Sequence, residues 1–257
     1  EIEDPSIKWR GTSDTETLLA GFTYWGFHKC LLKLEGMFAF ALWDDKEKTL
    51  SLARDRMGEK PLYYGQAGST FIFASELKAL KAFPEWQGTI DRDSLSLFFR
   101  YGYVPAPRSI YKGIFKLPPA HFLEIKNQGQ DIREPICYWD INKIALNPKN
   151  SVSDCPNELT DKLEILLLNA VRKQMSADVP LGSFLSGGYD SSTITALMQA
   201  QSDIPVKTFS IGFKETDYNE ANHARRVANH LRTEHTELFV TPHDAMAVIP
   251  DLHKIYD

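Results

Sequence analysis

Apolar residues recur along this chain in two rhythms that change near residue 150. In the first part, Leu18, Leu19, Phe22 and Trp25 fall at helical spacing and predict an amphipathic helix that Gly26 breaks. Ser13 before it, with Glu16 three residues on, predicts a capping box. A second short helix is expected over Phe27 to Lys33, stopping at Gly36. Met37 to Trp43 is apolar on both faces, which predicts a strand in a sheet covered on each side by helices. Thr49 to Ala53 is its return strand. Pro61 to Gly65 and Thr70 to Ala74 predict a second hairpin around Ala67-Gly68-Ser69. The dense charges of Arg54 to Lys60 between the hairpins suggest solvated surface, although paired Arg and Asp with a glycine could also line a site edge. Helices over Ser75 to Ala82 and, behind the cap Asp91, Ser94 to Tyr101 precede a strand at His121 to Ile125 and a turn at Asn127 to Asp131.

After residue 155 the rhythm is strand, helix, strand, helix, strand. An amphipathic helix, Leu159 to Met175, puts Leu163, Leu166, Leu167, Ala170 and Val171 on one side. A buried strand is expected at Val179 to Leu185, another apolar strand at Pro205 to Phe213 and a third strand at Glu234 to Val240, with helices at Ser191 to Gln201 and Asn219 to Leu231 between them. Pro242 starts a last helix through Ile249. This order predicts a parallel α/β sheet with right-handed crossovers. Residues 140–154 carry Pro and Asn without apolar period and form the expected linker, so an α+β domain (1–139) precedes an α/β domain (155–257).

Composition narrows the function classes. Hydrophobic residues make up 43% and charged ones 25%, as in an ordinary globular protein, and a net charge of −5 argues against nucleic acid and anionic membranes as partners. No apolar run approaches the ~20 residues that span a bilayer, and the acidic start resembles no signal peptide. Three widely spaced cysteines, Cys30, Cys137 and Cys155, indicate neither a disulfide framework nor a zinc site, so a reducing cytoplasm is expected. The seven histidines show no metal-binding spacing; His223 and His230 share one face of a helix, expected to be solvated.

The candidate chemistry lies at Leu185 to Ser192. There an apolar strand ends in Ser186-Gly187-Gly188, followed by Tyr189, Asp190, Ser191 and Ser192 at a helix start. Uncapped N–H groups and the helix dipole attract anions there, and glycines let backbone approach them. Glycine and serine alone would equally suit a tight βα turn; the full S-G-G-x-D-S-S string after a strand favours a nucleotide or pyrophosphate. The loop has no Walker lysine and no G-x-G-x-x-G. Asp190 suits Mg²⁺ among phosphate oxygens, and it equally suits the helix dipole. Ser210-Ile211-Gly212-Phe213 ends the next strand, where Ile211 could offer backbone groups to a base edge and Gly212 allow close approach; an ordinary strand end fits as well.

LSGGYDSS resembles the pyrophosphate loop of the N-type ATP pyrophosphatases, which split ATP between its α and β phosphates. SDTETLL, LEGMFAFALWD, ARDRMGEKPLYY, FASELKAL, YVPAPRSIYKGIFKLPPAHFL and TFSIGF extend the likeness, in order, to the glutamine-hydrolysing asparagine synthetases. Bacterial members found among surface-polysaccharide genes look nearest. The resemblance implies an αββα sandwich of the N-terminal-nucleophile type, a class II glutamine amidotransferase, followed by a parallel-sheet ATP pyrophosphatase domain. It implies that aspartate and Mg-ATP give an acyl-adenylate, from which ammonia derived from glutamine displaces AMP. By the same resemblance Asp14 holds the glutamine α-amino group and Leu185 and Ile211 contact ATP. Ser186, Gly187, Gly188, Asp190, Ser191 and Ser192 then form the pyrophosphate loop, with Asp190 as the Mg²⁺ ligand.

Departures from the family are equally specific. Its glutaminase nucleophile is an N-terminal cysteine, whereas this chain starts with Glu1. Both incomplete domains are therefore expected to be cut, at the two ends of the chain, and the fragment alone to be inactive. Cys30 sits in a Leu-rich helix and is expected in the core. Arg232 stands where glycine is usual. The acceptor stays open between aspartate and another carboxylate such as a sugar uronic acid, a non-catalytic nucleotide-binding module is the third reading, and homodimerisation is left open.

Overall fold

The first element of the computed structural model is helix α1 (Asp14–Trp25), whose start is set by two side chains. Ser13 Oγ accepts from Thr15 N at 3.2 Å. Glu16 does not close the expected box onto Ser13; its carboxylate accepts from the backbone N–H groups of Arg10 and Gly11, each at 2.9 Å. Those bonds, Arg10's first, hold the Glu16 carboxyl below its ordinary range. The structure describes residues 9–11, 13–126, 131–146, 155–213 and 220–256. It is a mixed α/β protein, with three sheets among the described residues, in two compact units, residues 1–148 and 149–256.

In the first unit α2 (Phe27–Lys33) follows α1, and four strands form two hairpins: β1 (Ala39–Asp44), β2 (Thr49–Arg54), β3 (Tyr63–Ala67) and β4 (Thr70–Ala74). Short helix α3 (Leu77–Lys81) and α4 (Arg92–Tyr101) lead to β5 (Ile114–Lys116), β6 (His121–Lys126), β7 (Asp131–Ile132) and β8 (Ile136–Cys137). One antiparallel sheet has the order β1-β2-β6-β7, with β8 also on β6; the other has β4-β3-β5. Leu52 and Ala53 are both fully buried although they point to opposite faces. Ala53 and Phe122 pack with Leu31 of α2. Leu52 and Leu123 pack with Tyr64 of the other sheet, whose far face meets Leu77 and Leu80 of α3.

Double coverage is fullest on β2 and β6 and reaches Met37–Trp43 only in part: Ala39 packs on the core with Leu52, and Phe38 and Phe40 pack on the core with Leu31. β1 is the last strand of its sheet among the described residues, and Met37 and Trp43 are exposed. Arg54 to Lys60 also departs from expectation: it is a built loop. Asp55 is fully buried. Its carboxylate accepts backbone N–H groups of Met57, Glu59, Lys60 and Phe38 at 3.1, 2.9, 3.0 and 3.3 Å. Arg54 turns its guanidinium onto the carbonyls of Lys60, Leu117 and Gly58 at 2.6–2.7 Å. Charge here closes a loop that carbonyls and amides would otherwise leave unsatisfied.

The expected linker contains a short helix, α5 (Ile141–Leu146), with no buried residue. Residues 147–154 of that linker lie outside the described residues, as do 127–130 of the expected turn. In the second unit α6 (Pro156–Gln174) carries the predicted apolar side, but only Val171 is buried, against Met198 and Val206; Leu163 and Leu166 are exposed. Next come β9 (Gly182–Phe184), α7 (Tyr189–Gln199), β10 (Lys207–Gly212), α8 (Ala221–Leu231) and β11 (Glu234–Phe239). Helices α9 (Pro242–Val248), behind a Thr241–Asp244 capping box, and α10 (Leu252–Ile255) end the described chain. β10 lies between β9 and β11 and is parallel to both. Among the described residues β9 is an edge strand, like β11, and this explains why Val179 to Leu185 is not the buried strand its apolarity suggests: Phe184 is 83% exposed, whereas Leu185 is buried.

Candidate functional site

The parallel register builds one edge of the second unit. Phe184 pairs with Phe209, and Leu185 N donates to Phe209 O at 2.8 Å. The loop that starts at Ser186 thus leaves the sheet beside Ser210-Ile211-Gly212, at the carboxyl ends of the strands, where α/β sheets commonly bind ligands. Leu185 is buried against Ala224 and Ala228 of α8 and anchors the loop from below. Ile211 is about half exposed.

The loop is tied by its own hydroxyls. Ser191 Oγ accepts from Ser186 N at 3.2 Å and lies 2.9 Å from Ser186 Oγ, which accepts from Gly188 N at 3.3 Å. Gly187 has φ +81°, the left-handed region that glycine favours. A Cβ there would sit 2.7 Å from Ala224 N, so the loop backbone rests directly on α8. Gly188 is the N-cap of α7 and no side chain caps that helix. Among the described residues the first-turn amides of Tyr189, Asp190 and Ser191 have no hydrogen-bond partner. Ser192 Oγ is shielded from solvent and also has none. Unsatisfied donors at a helix start, beside an unsatisfied buried hydroxyl, fit a phosphate group. The Asp190 side chain projects from the same first turn and is exposed. One carboxylate beside phosphate oxygens is a donor set Mg²⁺ accepts. Among the described residues no three His, Cys, Asp or Glu side chains gather as a metal cluster.

Family models now match both parts of the chain: a glutamine amidotransferase domain over residues 1–139 and asparagine synthase over 162–257. The chain belongs to the glutamine-hydrolysing asparagine synthetase family. A Methanocaldococcus jannaschii member of the family, provisionally named asparagine synthetase (glutamine-hydrolyzing) 2, is 36% identical over 248 residues, 95% of this chain and 46% of the relative. Asparagine synthetase (glutamine-hydrolyzing) 3 of Bacillus subtilis is 38% identical over 222 residues, 84% of this chain and 34% of the relative. Amidase chry2 of Gibberella zeae is 32% identical over 242 residues, 88% of this chain and 34% of the relative. The chain thus spans less than half the length of each of these family relatives.

The structure brings together Leu185, Ser186, Gly187, Gly188, Asp190, Ser191, Ser192 and Ile211 on one edge of the second unit. Asp14 lies in the first unit, at the first turn of α1, with Ser13 Oγ donating to its carboxylate at 3.4 Å. Cys30 is buried on α2, and burial pushes its thiol up. Of the two readings open for Gly212, its surroundings favour the ordinary strand end. The Phe239 ring and Ala221 occupy the space beside it, within 3.1 Å of where a Cβ would be, so packing requires a glycine there.

A network missing from the sequence reading sits behind the edge. His235 lies between strands, its Nδ1 2.9 Å from Thr208 Oγ1 and its Nε2 3.3 Å from Ser210 Oγ and 3.5 Å from Glu237 Oε1. Glu237 accepts a two-pronged hydrogen bond from Arg225 of α8. That bond holds the Glu237 carboxyl below its ordinary range, against the effect of partial burial. The alternation His235-x-Glu237 in a strand was the available signal, since period two puts both on one face. Among the described residues no helix is long and apolar enough to cross a membrane.

Proposed function

We propose that this chain contributes the glutamine-handling and nucleotide-binding parts of a ligase that amidates aspartate at the expense of ATP in the cytoplasm. The observation that carries this is the uncapped start of α7 beside the partnerless Ser192 hydroxyl, in a chain of this family. In this reading a carboxylate oxygen of the acceptor attacks the α-phosphorus of ATP, and pyrophosphate leaves. Ammonia from glutamine then attacks the acyl carbon of the adenylate, and AMP leaves. The amides of Tyr189, Asp190 and Ser191, with the hydroxyls of Ser186, Ser191 and Ser192, receive the charge of the departing pyrophosphate. Leu185 and Ile211 flank the nucleotide. Asp190 would hold Mg²⁺, which supplies countercharge to the phosphates. Asp14 would bind the glutamine α-amino group.

We assign the first unit to an αββα sandwich of the N-terminal-nucleophile type, a reading supported by α2 packing on one sheet and α3 on the other. The parallel strands β9, β10 and β11 we assign to an ATP pyrophosphatase sheet, with 1–139 and 155–257 as the two domains and 140–154 as the linker. A second acceptor, such as a sugar uronic acid, stays in view because a protein named an amidase lies within the same range of identity as the named synthetases.

ATP–pyrophosphate exchange on the full-length gene product tests both. Exchange dependent on aspartate, and lowered at least ~100-fold in Asp190→Asn, is expected. Exchange with sugar acids alone would replace aspartate; exchange with neither, in a protein that still binds ATP, would leave a nucleotide-binding module.

A further inference from the structure

Helix α8 carries two arginines with opposite fates. Arg225 is committed to Glu237. Arg226, next in sequence, turns to another face and has no acidic partner among the described residues. His223, Arg226 and His230 recur at i, i+3 and i+7 and form one stripe of α8. This stripe walls an open groove of about 640 Å³, whose other wall is Ser192 and Thr193 of α7 and whose end is closed by Gly187. Ala196, Val227 and Leu231 also line it. Among the described residues no carboxylate lines it, in a chain whose net charge is −5.

We propose that the groove between α7 and α8 binds an oxyanion of the phosphate class, as a site additional to the Ser186–Ser191 loop. Arg226 offers a forked donor suited to phosphate oxygens, and the two imidazoles offer further N–H donors. The volume admits a phosphate ester of sugar or nucleoside size as well as the free ion. The groove borders the loop at Gly187 and Ser192 and differs from it by the α8 stripe. A ligand along the stripe must touch residues that lie about 10 Å apart on the helix axis, seven residues at 1.5 Å each.

The 257-residue chain with labelled histidines, titrated with inorganic phosphate and separately with glycerol 3-phosphate, tests this. The ring resonances of His223 and His230 should move together on one saturation curve. Arg226→Gln should weaken binding about tenfold. Lys162→Gln, which removes an exposed charge from α6, should change it less than twofold. Tighter binding of the ester would identify an esterified ligand; tighter binding of the free ion would identify phosphate itself. Movement of His223 alone would place the anion at the loop and overturn the proposal. So would two unmoved histidines, or equal weakening by the two substitutions.

Discussion

Two adjacent glycines in the loop make opposite demands, and alanine scanning separates them. At Gly187 the backbone has φ +81°, where an L-residue costs ~1–2 kcal/mol. The added Cβ would lie 2.7 Å from Ala224 N, from His223 C and from His223 Cβ. Two of those atoms are backbone of α8 and cannot rotate aside. Relief to an ordinary contact requires the loop or the helix to move by about 0.7 Å, and such overpacking costs ~1–3 kcal/mol. Gly187→Ala should therefore destabilise the loop–α8 contact by ~2–5 kcal/mol, the sum of the strain and overpacking ranges. At Gly188 the backbone is extended, φ −74° and ψ 169°, and a Cβ would meet only Ser186 Oγ at 3.4 Å. Gly188→Ala should cost within ~0.5 kcal/mol. Hydrogen exchange at the buried-face amides of Ala224, Val227 and Ala228 measures the difference locally. Exchange should accelerate about 30-fold or more in Gly187→Ala and less than about threefold in Gly188→Ala. Equal acceleration in the two variants, or none in Gly187→Ala, would refute the packing argument.

Three further outcomes follow from single side chains. Asp55→Asn keeps one acceptor oxygen but turns an NH₂ group toward two of the four amides that Asp55 serves. A loss of ~2–5 kcal/mol is expected in urea unfolding. Tryptophan fluorescence reports it from the first unit alone, because Trp9, Trp25, Trp43, Trp86 and Trp139 all precede residue 148; a loss under ~1 kcal/mol contradicts the loop assignment. Glu237 is held below its unfolded value of 4.5, so the stability it contributes is present above pH 4.5 and disappears as pH falls through the folded value. Glu237→Gln should flatten the acid side of the stability curve, read from the NMR intensities of β10 and β11 amides, and an unchanged acid slope would sink the linkage. Arg232 ends α8 with φ +58° and ψ 40°. Arg232→Gly should be neutral or stabilise by up to ~1 kcal/mol, and a loss above ~1 kcal/mol in thermal unfolding would show that the arginine side chain has its own role.

That last residue shows where sequence alone reaches and where it stops. Helices α1 and α2 and both hairpins of the first unit are legible because period and turn residues act locally. The loop from Leu185 to Ser192 is legible because its members are contiguous, and Ile211 joins it through the parallel register of β9 and β10. What stays hidden depends on distant partners. Asp55 is a loop residue with charged neighbours, and only the arrival of Phe38 and Ala120 buries it. Phe184 has the apolarity of a core strand, yet it lies in an edge strand. Gly212 invites a ligand until the Phe239 ring takes the space. Arg232 stands at a place that favours glycine for a backbone reason, which no pattern of side chains reveals.

The loop's hydroxyls also bear on how an anion would enter. Ser186 and Ser191 satisfy each other at 2.9 Å, so a phosphate must exchange that neutral bond, worth ~0.5–1.5 kcal/mol net, for charge-assisted ones worth ~1.5–3 kcal/mol each. The exchange is favourable but modest, and it leaves the loop held in shape beforehand. Ser192 has no bond to give up. Any hydrogen bond it makes to a phosphate oxygen is gained without loss, and it also removes the penalty of a shielded, partnerless hydroxyl. Ser192→Ala should thus lower phosphate affinity while leaving the unliganded protein equally or more stable. Ser191→Ala should reduce both, because it also releases the amide of Ser186. The first two serines belong to the architecture of the loop; the third is the one whose unliganded state is already unfavourable.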